Sequence, residues 1–339
     1  MKKILIVLLF NCSFSQAQTF NIAALNDLNF FFEDAVLFSD RYITPATDAA
    51  VYQAASAWIS SAKKSKKWST NIGIHTNLFI VPKEDRTFNI SNDDFNYLTI
   101  RGANSAVVPT ALGDDYQVII DDIYTPNGLI NPAKPIKTPQ GVNQENIFYP
   151  HLSGSVCVGS GTEFIGKFAP KVKIKKGEYQ VYGFGVKHNI DQYIQTLQKS
   201  KINLAASLVH SKEIISFDFL NVQPTPYGTL GIDKITGKVN SIQLQINASK
   251  EWRNFEFMIG SITNLSEFEY FLTGETGTIE EFIPVQQILN DRLKEIYKSK
   301  INSIIEISTT YKLRRLHFQS AIAFSKFLNA NLSVHYKIN

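Results

Sequence analysis

The side chains with the most chemical capacity are thinly spread along this chain. Six histidines stand at 75, 151, 188, 210, 317 and 335. None forms a His-x-x-x-His pair or another tight spacing that a metal site uses. His317 and Ser320 invite a nucleophile-and-base reading, but residues three apart on a strand lie on opposite faces, which argues against a catalytic pair. Cys157 has no nearby base in sequence to activate it and reads as a small buried residue. The glycine-rich stretches at 158–161 and 183–185 do not open a helix after a buried strand, so they make no phosphate cradle. They read as bends or close approaches. No catalytic residue, metal site or cofactor is expected. One polar stripe remains: Lys171, Lys173 and Lys175 alternate with Val172 and Ile174, placing three ammonium groups on one face. They either line a passage and favour anionic solutes or mark an exposed strand end.

The elements that would position these groups are two-faced strands. Ile301, Ile305, Ile307, Tyr311 and Leu313 alternate with Asn302, Glu306, Ser308, Thr310 and Lys312. After Arg314 and Arg315, Leu316, Phe318, Ile322 and Phe324 oppose His317, Gln319, Ala321 and Ser325, and Leu332, Val334, Tyr336 and Ile338 close the chain. Ile242, Leu244, Ile246 and Ala248 repeat the pattern, as does the strand opened by Trp68. Period two gives one apolar and one polar face. Strands of about 9–11 residues with this alternation suit a wall with lipid outside and a polar lumen inside. The fold expected is all-β: a transmembrane antiparallel β-barrel of roughly 12–14 strands with a short helical N-terminal plug or cap segment. Residues 103–160, rich in Pro, Gly, Asn and Asp, read as long external loops. Val285, Ile288, Leu289 and Ile296 fall at helical spacing, so 285–298 reads as an amphipathic helix.

Met1-Lys2-Lys3, the apolar run Ile4–Phe10 and Ser15-Gln16-Ala17 have the form of a secretory signal peptide. Three regions follow: a signal peptide at 1–17, a helical plug or cap at 18–67, and a barrel at 68–339. Pro45 is expected to break the plug into two helical pieces. Loss of Lys2 and Lys3 from 34 basic residues leaves 32 against 30 acidic ones, a balance that gives no argument for nucleic acid. The run Lys63-Lys64-Ser65-Lys66-Lys67 reads as a solvated end or a contact with lipid phosphates. Without Cys12, Cys157 is alone and no intramolecular disulfide can form.

The segments Val108-Pro109-Thr110-Ala111-Leu112-Gly113 and Tyr182-Gly183-Phe184-Gly185-Val186-Lys187-His188-Asn189-Ile190, with the helical stretch from Asp34 to Trp68, resemble an uncharacterised family of Gram-negative outer-membrane barrels. That family is itself similar to long-chain fatty-acid (FadL-type) outer-membrane transporters. The resemblance spans nearly the whole mature chain, though its motifs are structural. It implies an N-terminal plug inside a 14-stranded barrel, with external helices offering an apolar landing site. Val285, Ile288, Leu289 and Ile296 are the candidates for that landing face. Asn339 stands where such barrels end on an aromatic residue. The expectation is a passive outer-membrane channel or transporter for a small hydrophobic or amphipathic ligand, and not an enzyme. Its partners would be outer-membrane lipid and the barrel-assembly machinery. A non-transporting barrel displaying loops and a secreted soluble β-domain are the alternatives.

Overall fold

The computed structural model describes residues 22–338 except 125–129, 131–132 and 224–227. The signal-peptide expectation at 1–17 lies outside the described residues. Helix α1 (Ile22–Ala55) is followed by β1 (Thr70–Ile80). An insert then carries five short strands: β2 (Thr87–Ser91), β3 (Leu98–Ile100), β4 (Ser105–Pro109), β5 (Ile119–Asp122) and β6 (Ile136–Lys137). Long strands resume with β7 (Asn146–Gly159), β8 (Thr162–Ile174) and β9 (Gly177–Asn189). A short helix, α2 (Gln195–Ser200), leads to β10 (Ile202–Asp218), β11 (Lys234–Trp252) and β12 (Phe255–Thr273). Helix α3 (Val285–Arg292) precedes β13 (Lys298–Leu313), β14 (Leu316–Phe324) and β15 (Leu328–Ile338).

Ten of these strands close a barrel in the order β1-β15-β14-β13-β12-β11-β10-β9-β8-β7. All its pairings are antiparallel, and β1 seals the ring against both β15 and β7. Closure leaves no sheet edge. The expected 12–14 strands exceed this count because the insert strands pair among themselves, as β2-β4 and β3-β5-β6. Conversely, Asn146–Gly159 is a barrel strand where the sequence reads as loop; its glycines and serines mask the alternation. The helix expected at 285–298 stops at Arg292 and passes through a 3₁₀ turn, Leu293–Ile296, before β13 begins.

Every connection at one end of the barrel is short, apart from the segment holding α2. This turn end carries Ser160-Gly161, Arg253-Asn254, Arg314-Arg315 and the C-terminus. Gly159, Ser160 and Gly161 all have positive φ, which explains the glycines of the β7–β8 turn. The opposite, loop end carries the insert at 81–145 and the segments 219–233 and 274–297.

The outer wall is apolar. Ile301 is 73% exposed, Phe184 68% and Leu332 66%, while their sequence neighbours turn inward. On β11 the outward residues stay mostly apolar from Trp252 to Ile242, then become Asn240, Lys238 and Thr236. Ten residues span about 33 Å of strand, or about 25 Å along the axis at a tilt near 40°, the height of a lipid-facing band. The band therefore lies towards the turn end, and β10–β12 run on past it.

Helix α1 is continuous through Pro45, where a break was expected. A proline removes one helical hydrogen bond, but this helix is held on all sides. Thr47 Oγ1 bonds back to the carbonyls of Ile43 and Thr44. At the loop end Phe31, Phe38, Tyr42, Phe217 and Phe219 form a buried aromatic core with insert residues such as Tyr97 and Leu112. The helix then descends as a narrow Ala46, Ala49, Ala50, Ala54, Ala55 stripe that fits inside the ring. A Cβ on Gly237 would overlap Thr47 Cγ2, and one on Gly183 would stand 2.9 Å from the Trp58 ring. Glycine is what lets the wall approach the plug at both places.

Candidate functional site in the barrel lumen

Through the apolar band the lumen holds polar side chains, and they grip the plug. Lys167 Nζ donates to the carbonyls of Ala54 (3.0 Å) and Ser56 (2.6 Å). It thereby satisfies orphan acceptors at the C-terminus of α1, where the helix dipole favours a cation. The same ammonium lies 4.6 Å from the centre of the Trp58 ring. Opposite it, Glu306 accepts the Ala57 N–H at 2.7 Å, and Gln245 donates to the Ala55 carbonyl at 3.1 Å. Further up, Lys300 clamps Asp48 at 2.7 Å and Tyr52 donates to Asn302 at 3.0 Å. Lys167 also interacts electrostatically with Glu213, a buried carboxylate whose two oxygens have no hydrogen-bond partner among the described residues.

A second cluster crosses β15, β1 and β7. His75 faces His151 directly in register, with ring centres 4.3 Å apart, and His335 packs edge-on at 4.9 Å. His317 pairs with His335 on the next strand. Sequence spacing could not reveal this group, because it is assembled by cross-strand register around the point of closure. The signal available was that His75, His317 and His335 fall on polar strand faces; His151 lies in a stretch that reads as loop. Among the described residues no cluster is disposed to hold a metal. His75 Nε2 lies 2.7 Å from Ser153 Oγ and its Nδ1 lies 3.3 Å from Asn331 Oδ1, the nucleophile–base–orienter order of a hydrolase. The space beside Ser153 is about 20 Å³, room for about one water, and it shares Ser60, Asn71, Ser155, Glu163 and Lys187 with a larger cavity at the turn end that Ser153 does not line. His75, Ser153 and Asn331 form a hydrogen-bonded chain across the lumen wall. His317 faces inward and Ser320 outward, so they form no pair.

The landing-site candidates are packed. Val285 and Leu289 are fully buried, and Ile288 and Ile296 rest against the same loop-end core. Two of the four are thus withdrawn from solvent, and only Ile288 and Ile296 keep part of their surface. Lys171, Lys173 and Lys175 do not face the lumen. A bulge between Ala169 and Val172 reverses the alternation of β8, turning Val172 inward and the lysines out. Lys171 pairs with Glu178 at 2.5 Å and Lys175 with Asp115 at 3.3 Å.

The turn-end mouth holds a cavity of about 400 Å³. Its wall is built from the descending segment 60–66, the ends of eight strands and the β13–β14 turn. Buried Lys187 spans Glu163 (2.9 Å) and the Ser61 carbonyl (2.9 Å). Lys312 meets Glu251 (2.5 Å) and Glu256 (2.6 Å).

Fold and lumen together define a closed ten-stranded barrel with an apolar outer wall and an internal helical plug. The chain belongs to a family of unknown function (DUF6588), which matches residues 1–338. No curated protein matches it. Among solved structures, a FadL homologue of Pseudomonas aeruginosa is 9% identical, with 76% of this chain and 61% of that one covered and a TM-score of 0.31. The outer membrane protease OmpT of Escherichia coli is 8% identical over 82% of this chain and 100% of that one, with a TM-score of 0.29. Ail, the attachment invasion locus protein of Yersinia pestis, is 8% identical over 80% and 100%, with a TM-score of 0.19. At such scores these likenesses carry no argument about what this chain does.

Proposed function

We propose that this protein is an outer-membrane β-barrel that passes a small solute down its gradient when the plug shifts. The observation that carries the reading is the pairing of a lipid-high apolar band with a polar lumen filled by the end of a helix and the segment that follows it. Within the band the end of that helix and the segment after it are held by discrete polar contacts, Lys167, Glu306 and Gln245 among them, beside a small apolar cluster of Trp58, Ile59 and Ala62 with Ile165, Val209 and Met258. Such contacts can exchange with water or solute, whereas a close-packed apolar core cannot without large cost. The solute is taken to be small and hydrophobic or amphipathic, and Val285, Ile288, Leu289 and Ile296 become its landing face if the loop-end cap opens. Short turns and the C-terminus would face the periplasm and the long inserts the exterior. An exposed apolar wall of this size argues against a secreted soluble domain.

A disulfide staple tests plug movement. A Cβ on Gly237 would overlap Thr47 Cγ2, so the two Cβ atoms lie within about 4 Å, the range a disulfide needs. In a Cys157→Ser background, Thr47→Cys/Gly237→Cys should block uptake of labelled oleate by expressing cells when oxidised and restore it on reduction. Uptake that is the same in both redox states would remove plug movement from the mechanism.

A second reading has its own support. The aromatic seal at the loop end, with Phe31, Phe38, Tyr42 and Phe219 buried together, suits a static barrel that displays its inserts for adhesion or assembly.

A further inference from the structure

The structure assigns an anion-binding site to the turn-end mouth, fitted to a soluble solute carrying two or more phosphate charges. Seven lysine and arginine side chains line the 400 Å³ cavity, against the carboxylates of Glu163 and Glu251. Both carboxylates are already engaged, Glu163 by Lys187 and Glu251 by Lys63 and Lys312. Lys64 donates to Gln192 at 2.8 Å, a neutral partner. Lys66, Arg314 and Lys337 have no side-chain hydrogen bond or ion pair among the described residues, and they come from three separate elements.

Folding alone does not account for this convergence. Like charges gathered in a concave, partly enclosed space repel one another and focus a positive potential. Glu163 acts on Lys337 electrostatically but is already paired with Lys187, and among the described residues no carboxylate pairs with Lys64, Lys66 or Arg314. A multiply charged anion would neutralise them, and Arg314 can meet a phosphate with two parallel N–H donors. The cavity is within the size range of small-molecule sites, ample for a pyrophosphate group with a small organic tail. Lys187, Lys312 and Lys337 sit on the lumen side of their strands. A lipid headgroup would have to leave the bilayer to reach them, so the ligand is a solute of the compartment on that side. The inference is independent of transport: it needs only that the mouth meets water.

The test is titration calorimetry of the detergent-purified protein with inorganic pyrophosphate at low salt. The wild type should bind, with affinity falling steeply as salt rises. Lys66→Gln/Lys337→Gln should weaken binding tenfold or more while keeping the heat-sensitive gel shift of a folded barrel. Lys134→Gln/Lys137→Gln, at a cavity of the opposite end, should bind as the wild type does. No binding by the wild type at millimolar pyrophosphate, an unchanged affinity in the first variant, or an equal loss in both variants would each overturn the assignment. Loss of the gel shift in every form, the wild type included, would count against the barrel reading instead.

Discussion

At the scale of single residues, Lys167 bears the largest electrostatic burden. Its ammonium caps α1, covers Trp58 and offsets Glu213 and Glu306 inside the wall. Removing one member of such a group leaves uncompensated buried charge and costs about 3–5 kcal/mol. Lys167→Met should therefore lower the temperature at which the folded band disappears from a gel. Lys167→Met/Glu213→Gln/Glu306→Gln should recover much of that loss; a single variant as stable as the wild type would contradict the role. Ser153, bonded to His75, should stay unlabelled by a serine-directed phosphonate, and labelling would reopen the hydrolase reading. Little of this chemistry was legible in the sequence. Lys167, Glu213 and Glu306 lie on three strands, and Glu306 reads there as one more polar-face residue. The histidines met only once register was known.

At the scale of elements, alternation was the legible signal, because outward apolar residues follow from period two alone. Ile242 and Leu244, Ile305 and Ile307, and Leu332 and Val334 all face out as read. Where local geometry breaks the period, a face no longer follows from it: after the β8 bulge Lys171, Lys173 and Lys175 point outward, as the exposed strand end that stood beside the lumen-lining alternative. Pro45 misled in the opposite direction, since tertiary contacts around α1 outweigh its local penalty. The upper half of α1 is tied to the insert by Arg41, which grips Asp94 through two bonds of 2.9 and 3.2 Å. Those bonds hold the Asp94 carboxyl below its usual value of 3.8. A depressed carboxylate stabilises the fold above its unfolded pKa, and the benefit is lost as pH falls through the folded value. The tether should thus be fully present at pH 5 and above and fade below about pH 4. The pair is partly exposed, so its worth is at most about 1 kcal/mol. Hydrogen exchange at α1 amides should quicken below pH 4 in the wild type relative to Asp94→Asn; identical pH profiles would remove the tether.

At the scale of the whole molecule, the sequence announced a barrel more clearly than its size. The insert strands are only two to five residues long and pair with one another at the loop end instead of joining the ring. Whether a strand joins the ring is decided by long-range pairing, which no local window contains. The ring makes a strong claim: its apolar outer face meets lipid. Ile242→Asp or Ile305→Asp, each placing a carboxylate on that face, should reduce assembly into membranes, since charge near the midplane costs a few kcal/mol. The same polar change at Ile100, buried in the loop-end insert, should leave membrane partition intact even where it destabilises the cap. Partition of the unaltered protein carries the most weight. The full-length chain should be expressed, the outer membranes isolated, and boiled and unboiled samples compared on a denaturing gel. A membrane-bound band whose mobility shifts on boiling is the result expected of a closed barrel facing lipid. A soluble protein showing no shift would contradict it.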